Sequence, residues 1–146
     1  MKLDFKGLSL FANVGIAETY LKDLGVEIVL ANELLDDRAK FYKHCHGSDV
    51  ISGSITDEKV FSKIIEKSKE YGVNFIMATP PCQGMSVAGQ MKKDDPRNTL
   101  IIKAMEALEL LTPEAMLIEN VPQMFKTSIL FDGNVLNIKE VIYKNL

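Results

Sequence analysis

The chain has 146 residues, 47% of them apolar and 25% charged, with a net charge of −3. That length and balance fit one globular domain with a sizeable core. They exclude a low-complexity or collagen-like chain and argue against a polyanion grip by this chain alone, since phosphate neutralisation needs clustered Lys and Arg. No apolar run reaches the roughly 20 residues that crossing a bilayer requires, so no membrane partner is expected. MKLDFKG does not read as a signal peptide. Two cysteines, Cys45 and Cys82, make no disulfide framework, so a reducing, cytoplasmic location is expected.

Taken in order, Gly7 to Ala12 is a short strand candidate followed by an Asn13-Val14-Gly15 turn. Ile16 to Leu24 carries a helical stripe of Ala17, Tyr20, Leu21 and Leu24, with Gly25 placed as a C-cap. Val26 to Asn32 reads as a second strand ending at Glu33, and Leu35 to His44 as a helix. Asp49 to Ser52 is a weak third strand. Asp57 opens a helix to about Tyr71, with Val60, Phe61, Ile64 and Ile65 inward and Gly72 as its stop. The run Phe75 to Ala78 is a buried strand that ends in Thr79-Pro80-Pro81. A helix is expected from about Arg97 to Leu111 and a fifth strand from Ala115 to Ile118. The chain then reads as loop to Gly133 and as a last helix from about Val135 to Asn145.

Strands alternating with helices predict an α/β chain, a doubly wound and mostly parallel sheet with helices on both faces. Ligands of such sheets bind beyond the carboxyl ends of the strands. Every unusual feature falls there: Phe11 to Gly15, Glu33, Ser54-Ile55, Pro81-Cys82 and Glu119-Asn120. Asn13 and Gly15 suit a tight turn. A glutamate directly after a second strand suits a ribose diol, though a solvated strand-end glutamate is the plain alternative. Proline fixes φ and pushes its predecessor to extended geometry, so Cys82 stands on a stiffened loop, where a nucleophile is a better reading than a packed thiol. Glu119, at the end of an apolar strand, could hold a proton for a ring attacked by that thiol. His44-Cys45-His46 lacks a second ligand cluster, so no metal is expected. Lys92-Lys93-Asp94-Asp95 is a solvated loop of mixed sign.

These residues resemble the N-terminal half of the DNA (cytosine-5) methyltransferases, over about Gly7 to Leu146. PPCQGMS resembles the nucleophile motif and ENVP the motif whose glutamate engages the target cytosine. SLFANVG resembles the cofactor loop, ANE the ribose-binding strand end, GSIT the adenine-binding segment, and DPRNTL a segment ending in a cofactor-contacting leucine. The resemblance implies a Rossmann-like fold, here truncated after the fifth strand and the helix behind it. It implies S-adenosylmethionine held by Phe11, Asn13, Gly15, Ile16, Glu33, Leu34, Ser54, Ile55, Pro81 and Leu100. It implies Cys82 and Glu119 as catalytic residues, with Pro81, Gln83, Ser86, Asn120 and Val121 around the target base. Five positions depart from the family pattern: Ser9 for aspartate, Asn13 and Ile16 for glycines, Ser54 for aspartate, and Leu34 for an aromatic. The arginine-containing motif, the target recognition region and the C-terminal helix have no counterpart in residues 1–146. Double-stranded DNA and a second polypeptide carrying those parts are therefore the expected partners, as in a split restriction-modification enzyme. A truncated or degenerate fragment, a non-catalytic nucleotide-binding module and an RNA-directed enzyme are the alternatives.

Overall fold

The computed structural model describes residues 4–81, 100–131 and 133–144. Five strands form one parallel sheet: β1 (Phe5–Leu10), β2 (Val26–Glu33), β3 (Asp49–Ser52), β4 (Phe75–Ala78) and β5 (Ala115–Ile118), in the order β3-β2-β1-β4-β5. Strand order reverses beside β1. The expected doubly wound sheet is thus observed, with its switch point between β1 and β4.

One face of the sheet is closed by α2 (Glu58–Tyr71) and α3 (Leu100–Leu111). Leu8, Leu10, Leu30, Ile76 and Ala78 meet Phe61, Ile64, Ala104 and Met105 there in the main core. Asp57 caps α2 by accepting from the backbone N–H groups of Lys59 and Val60, at 2.8 and 3.2 Å. An N-cap of this kind contributes about 1 kcal/mol. The other face carries α1 (Asp36–His46), whose Tyr42 packs with Ala12 and Ala31.

Two expectations fail. Residues 16–24 form turns and a short 3-10 helix (Lys22–Leu24), not a regular helix. Leu21 packs against the sheet, but Ile16, Tyr20 and Leu24 stay exposed. A helix this short draws its stability from a buried face, and only part of the expected stripe finds one among the described residues. The stretch after Pro122 is also not loop. It contains a 3-10 turn (Pro122–Lys126) and a hairpin of β6 (Ser128–Phe131) and β7 (Asn134–Asn137), before a shorter last helix, α4 (Ile138–Lys144). Hairpin and α4 share a second core with α3 through Ile101, Met124, Ile129, Ile138 and Val141.

Candidate cofactor and base site

Backbone and side-chain hydrogen bonds stitch the carboxyl ends of all five strands together. Between β1 and β2, Ala12 N–H donates to the Asn32 carbonyl at 3.0 Å, and Asn13 N–H donates to Glu33 Oε2 at 2.9 Å. Between β2 and β3, the Asn32 amide donates to the Ile51 and Gly53 carbonyls, at 2.9 and 3.1 Å. Between β1 and β4, Thr79 Oγ1 donates to the Phe11 carbonyl at 3.0 Å. Between β4 and β5, Glu119 N–H donates to the Ala78 carbonyl at 3.0 Å, and the Asn120 amide donates to the Pro80 carbonyl at 2.9 Å.

A cavity of about 440 Å³ opens over the tips of β1, β2 and β3, within the size range of small-molecule sites. Eight of the ten expected cofactor residues line it: Phe11, Asn13, Glu33, Leu34, Ser54, Ile55, Pro81 and Leu100. Gly15 and Ile16 do not. Ile16 is 79% exposed, and Gly15 is buried behind the loop, where an added Cβ would lie 2.1 Å from His46 Nε2. Gly15 therefore shapes the loop from behind. Asn32, Leu35, Arg38, Gly53 and Thr79 complete the lining and were not expected. The polar residue types beside Glu33 and before Pro80 were the available signal for Asn32 and Thr79.

Glu33 is the best-defined group in the cavity. It is 6% exposed, and each carboxylate oxygen accepts one backbone N–H: Oε2 from Asn13 and Oε1 from Leu35 at 3.0 Å. Two donors fix the carboxylate and leave each oxygen further lone-pair capacity, the arrangement a vicinal diol needs. The loop that supplies one donor is strained. Phe11, Asn13 and Gly15 take φ of 61°, 52° and 81°. Asn tolerates that region, whereas a bulky Phe held there is uncommon and points to a functional constraint. Asn13 thus supplies the positive φ a glycine would give, so this departure from the family pattern leaves the loop intact.

Behind the loop lies a buried polar cluster. Ser9 Oγ donates to Glu18 Oε1, and the second Glu18 oxygen and the Tyr42 hydroxyl find no hydrogen-bond partner among the described residues. Burial, and then the charge of Glu18, push the Tyr42 phenol further up its range, with Ser9 opposing them. Ser9 in place of the family's aspartate therefore serves as donor to a neighbouring acid.

At the other end of the site, β4 and β5 run parallel with Ala78 opposite Ile118. Their tips carry Pro81 and Glu119. The Glu119 side chain is exposed, while Asn120 and Val121 are half-buried. Cys82, Gln83 and Ser86 lie outside the described residues. No cluster of three or more His, Cys, Asp or Glu suited to a metal occurs among the described residues, His44-Cys45-His46 included. No described helix is long and apolar enough to cross a membrane.

A parallel 3-2-1-4-5 sheet with flanking helices defines a Rossmann-like fold of the methyltransferase class. The sequence profile for C-5 cytosine-specific DNA methylases matches residues 5–145, and the chain belongs to that family. It is 37% identical over 148 aligned residues to the type II methyltransferase M1.HgaI of Avibacterium volantium, covering 97% of this chain and 42% of that one. It is 30% identical to the type II methyltransferase M.FnuDI of Fusobacterium nucleatum, covering 94% and 37%. The fold matches the crystal structure of the S. pombe Dnmt2 methyltransferase with a TM-score of 0.61 at 16% identity, over 97% of this chain and 39% of the other. The chain thus spans about two fifths of these relatives' length.

Proposed function

We propose that this chain is the cofactor- and nucleophile-bearing part of a DNA (cytosine-5) methyltransferase, and that a second polypeptide supplies target recognition. The observation that carries the reading is the tie between the two catalytic strand tips. Parallel pairing of β4 and β5, with the Asn120 amide donating to the Pro80 carbonyl, joins the segment at Pro80 to the segment after Glu119, which supports a shared role for Cys82 and Glu119.

The residues present fit S-adenosylmethionine. Glu33 presents a fixed acceptor pair for a ribose diol, Leu34, Ile55 and Leu100 supply apolar wall, and the cavity leads toward Pro81. When bound, that cofactor supplies an electrophilic methyl group for ring carbon C5. The chain's own residues activate the ring. A cytosine flipped from the duplex is attacked at C6 by the Cys82 thiolate, forming an S–C6 bond. The displaced electron pair reaches N3, which takes a proton from Glu119, and C5 becomes nucleophilic. After methyl transfer, the C5 proton passes to water, the C–H electron pair re-forms the C5–C6 double bond, and the C6–S bond breaks. The thiolate is regenerated and N3 returns its proton to Glu119. Pro81, Gln83, Ser86, Asn120 and Val121 hold the loops around the base.

The requirement for more protein rests on what β5 leaves open. Among the described residues it is the edge strand of the sheet, Leu117 on it is 46% exposed, and Phe125 is exposed beyond it. A net charge of −3 gives poor attraction to phosphate. The test is labelled methyl transfer to double-stranded DNA. The chain alone is expected to be inactive, and addition of the complementary half is expected to give activity that Cys82→Ala abolishes. Methylation by the chain alone, or by the Cys82→Ala variant, would overturn the reading.

A further inference from the structure

We propose that Arg38 is a cofactor-specificity residue, its guanidinium donating hydrogen bonds to the acceptor edge of the purine; this rests on the cofactor reading above. Arg38 was not singled out by any motif. It lines the cavity, and with Glu33 it is one of two charged residues that do so among the described residues.

Nothing in the fold accounts for it. Arg38 lies in the first turn of α1, where a cation opposes the helix dipole. Its acidic neighbours are engaged elsewhere: Asp36 accepts from the Ser52 hydroxyl, and Asp37 pairs with Lys40 at 3.6 Å. Arg38 itself has no hydrogen bond or ion pair among the described residues, and its side chain is exposed. A misplaced, partnerless guanidinium at the rim of a cavity is better explained by a ligand than by stability.

Position selects the part of the ligand. The reacting methyl group must point toward the β4 and β5 tips, where the nucleophile loop begins, and Glu33 stands at the β2 tip for the ribose. The base therefore lies at the β3 end, among Leu34, Leu35, Arg38, Ser54 and Ile55. Arg38 is the one cation in the lining among the described residues. Ser54 Oγ already shares a hydrogen bond with Thr56 Oγ1 at 2.8 Å and accepts from Thr56 N–H at 3.3 Å. Arg38 brings five N–H donors and no acceptor, so the ring is read through its acceptors. Arginine pairs best with a purine that presents O6 and N7 together. A hypoxanthine base in place of adenine is therefore accepted.

The experiment is calorimetric binding of S-adenosylhomocysteine and S-inosylhomocysteine to the protein with its complementary half, for wild type, Arg38→Ala and Arg38→Lys. Wild type is expected to bind the inosyl compound at least as tightly as the adenosyl compound. Arg38→Ala is expected to weaken adenosyl binding about tenfold and inosyl binding more, with Arg38→Lys between, on the scale of a charge-assisted contact. The thermal midpoint of ligand-free Arg38→Ala should equal or slightly exceed that of wild type, since a cation opposing the helix dipole is removed, which separates ligand contact from a structural role. Wild-type affinity retained in Arg38→Ala, or rejection of the inosyl compound by wild type, overturns the proposal alone. A variant that keeps cofactor affinity and loses DNA affinity also overturns it, assigning Arg38 to phosphate. Failure of wild type to bind either compound overturns the cofactor reading itself.

Discussion

The two ends of the strand-tip site are built to different degrees of completion. Over β1, β2 and β3, every tip is tied to its neighbour, the acid is buried and held by two N–H donors, and a cavity is already shaped. Over β4 and β5, the tips are also tied together, yet Glu119 is exposed and the β5 edge stands open. The difference teaches that, among the described residues, the first three strand tips shape a cavity in advance, whereas the last two are aligned without lining one.

The comparison breaks most readily at Gly15. Alanine there takes an unfavourable positive φ and drives its Cβ into the His46 ring. Gly15→Ala is expected to cost roughly 2–4 kcal/mol of stability, read by urea unfolding, and to abolish cofactor binding. Unchanged unfolding would mean that the loop is not held from behind.

Glu33→Gln tests the cavity more selectively. Gln replaces one of the two accepting oxygens with an NH2 group, which sets donor against donor at either the Asn13 or the Leu35 N–H. Leaving one donor unmet costs about 1–3 kcal/mol, and S-adenosylhomocysteine affinity should fall about tenfold or more by calorimetry. Full affinity would remove Glu33 from the site.

The smallest effect lies away from both ends and serves as a control. Asp49 accepts from Lys67 at 2.6 Å and from the Tyr71 hydroxyl at 2.7 Å. The Lys67 hydrogen bond first, and then that of Tyr71, lower its pKa to about 2. A carboxyl group lowered on folding adds stability above its unfolded pKa, near 3.9, and that stability is lost as pH falls toward about 2. The side chains keep about a third of their surface exposed, so screening holds the contribution to about 1 kcal/mol or less. Asp49→Asn should flatten thermal stability between about pH 4 and pH 2 without changing cofactor affinity. A steep acid transition surviving in the variant would assign it to other groups.

The sheet was legible because its strands are short apolar runs punctuated by Gly, Pro and acidic residues, and parallel order follows from the intervening helices. Three of the five strands, Asp49–Ser52, Phe75–Ala78 and Ala115–Ile118, coincide with expectation, and the other two agree to within two residues at each end. The site's residues were legible because they sit directly after those strands. The 16–24 segment was misread because periodicity reports a face that could be buried, whether or not a partner for it is at hand; only Leu21 of that stripe packs. The β6–β7 hairpin was missed although Asp132-Gly133 is a strong turn signal. The apolar Val135 and Leu136 were assigned instead to the helix stripe of Ile138 and Val141. Arg38 carried no sequence signal, because only the fold reveals that its helix begins at the cavity rim.

The central proposal is that the Cys82 thiol and the Glu119 acid act on one pyrimidine ring. Covalent trapping on duplex DNA containing 5-fluorocytosine tests it most directly, with S-adenosylmethionine and the complementary half present. Fluorine cannot leave as the C5 proton does, so a denaturation-resistant protein–DNA adduct should accumulate with wild type, vanish in Cys82→Ala, and form far more slowly in Glu119→Gln. An adduct that persists without Cys82, or no adduct from a complemented protein that binds both cofactor and DNA, would contradict it.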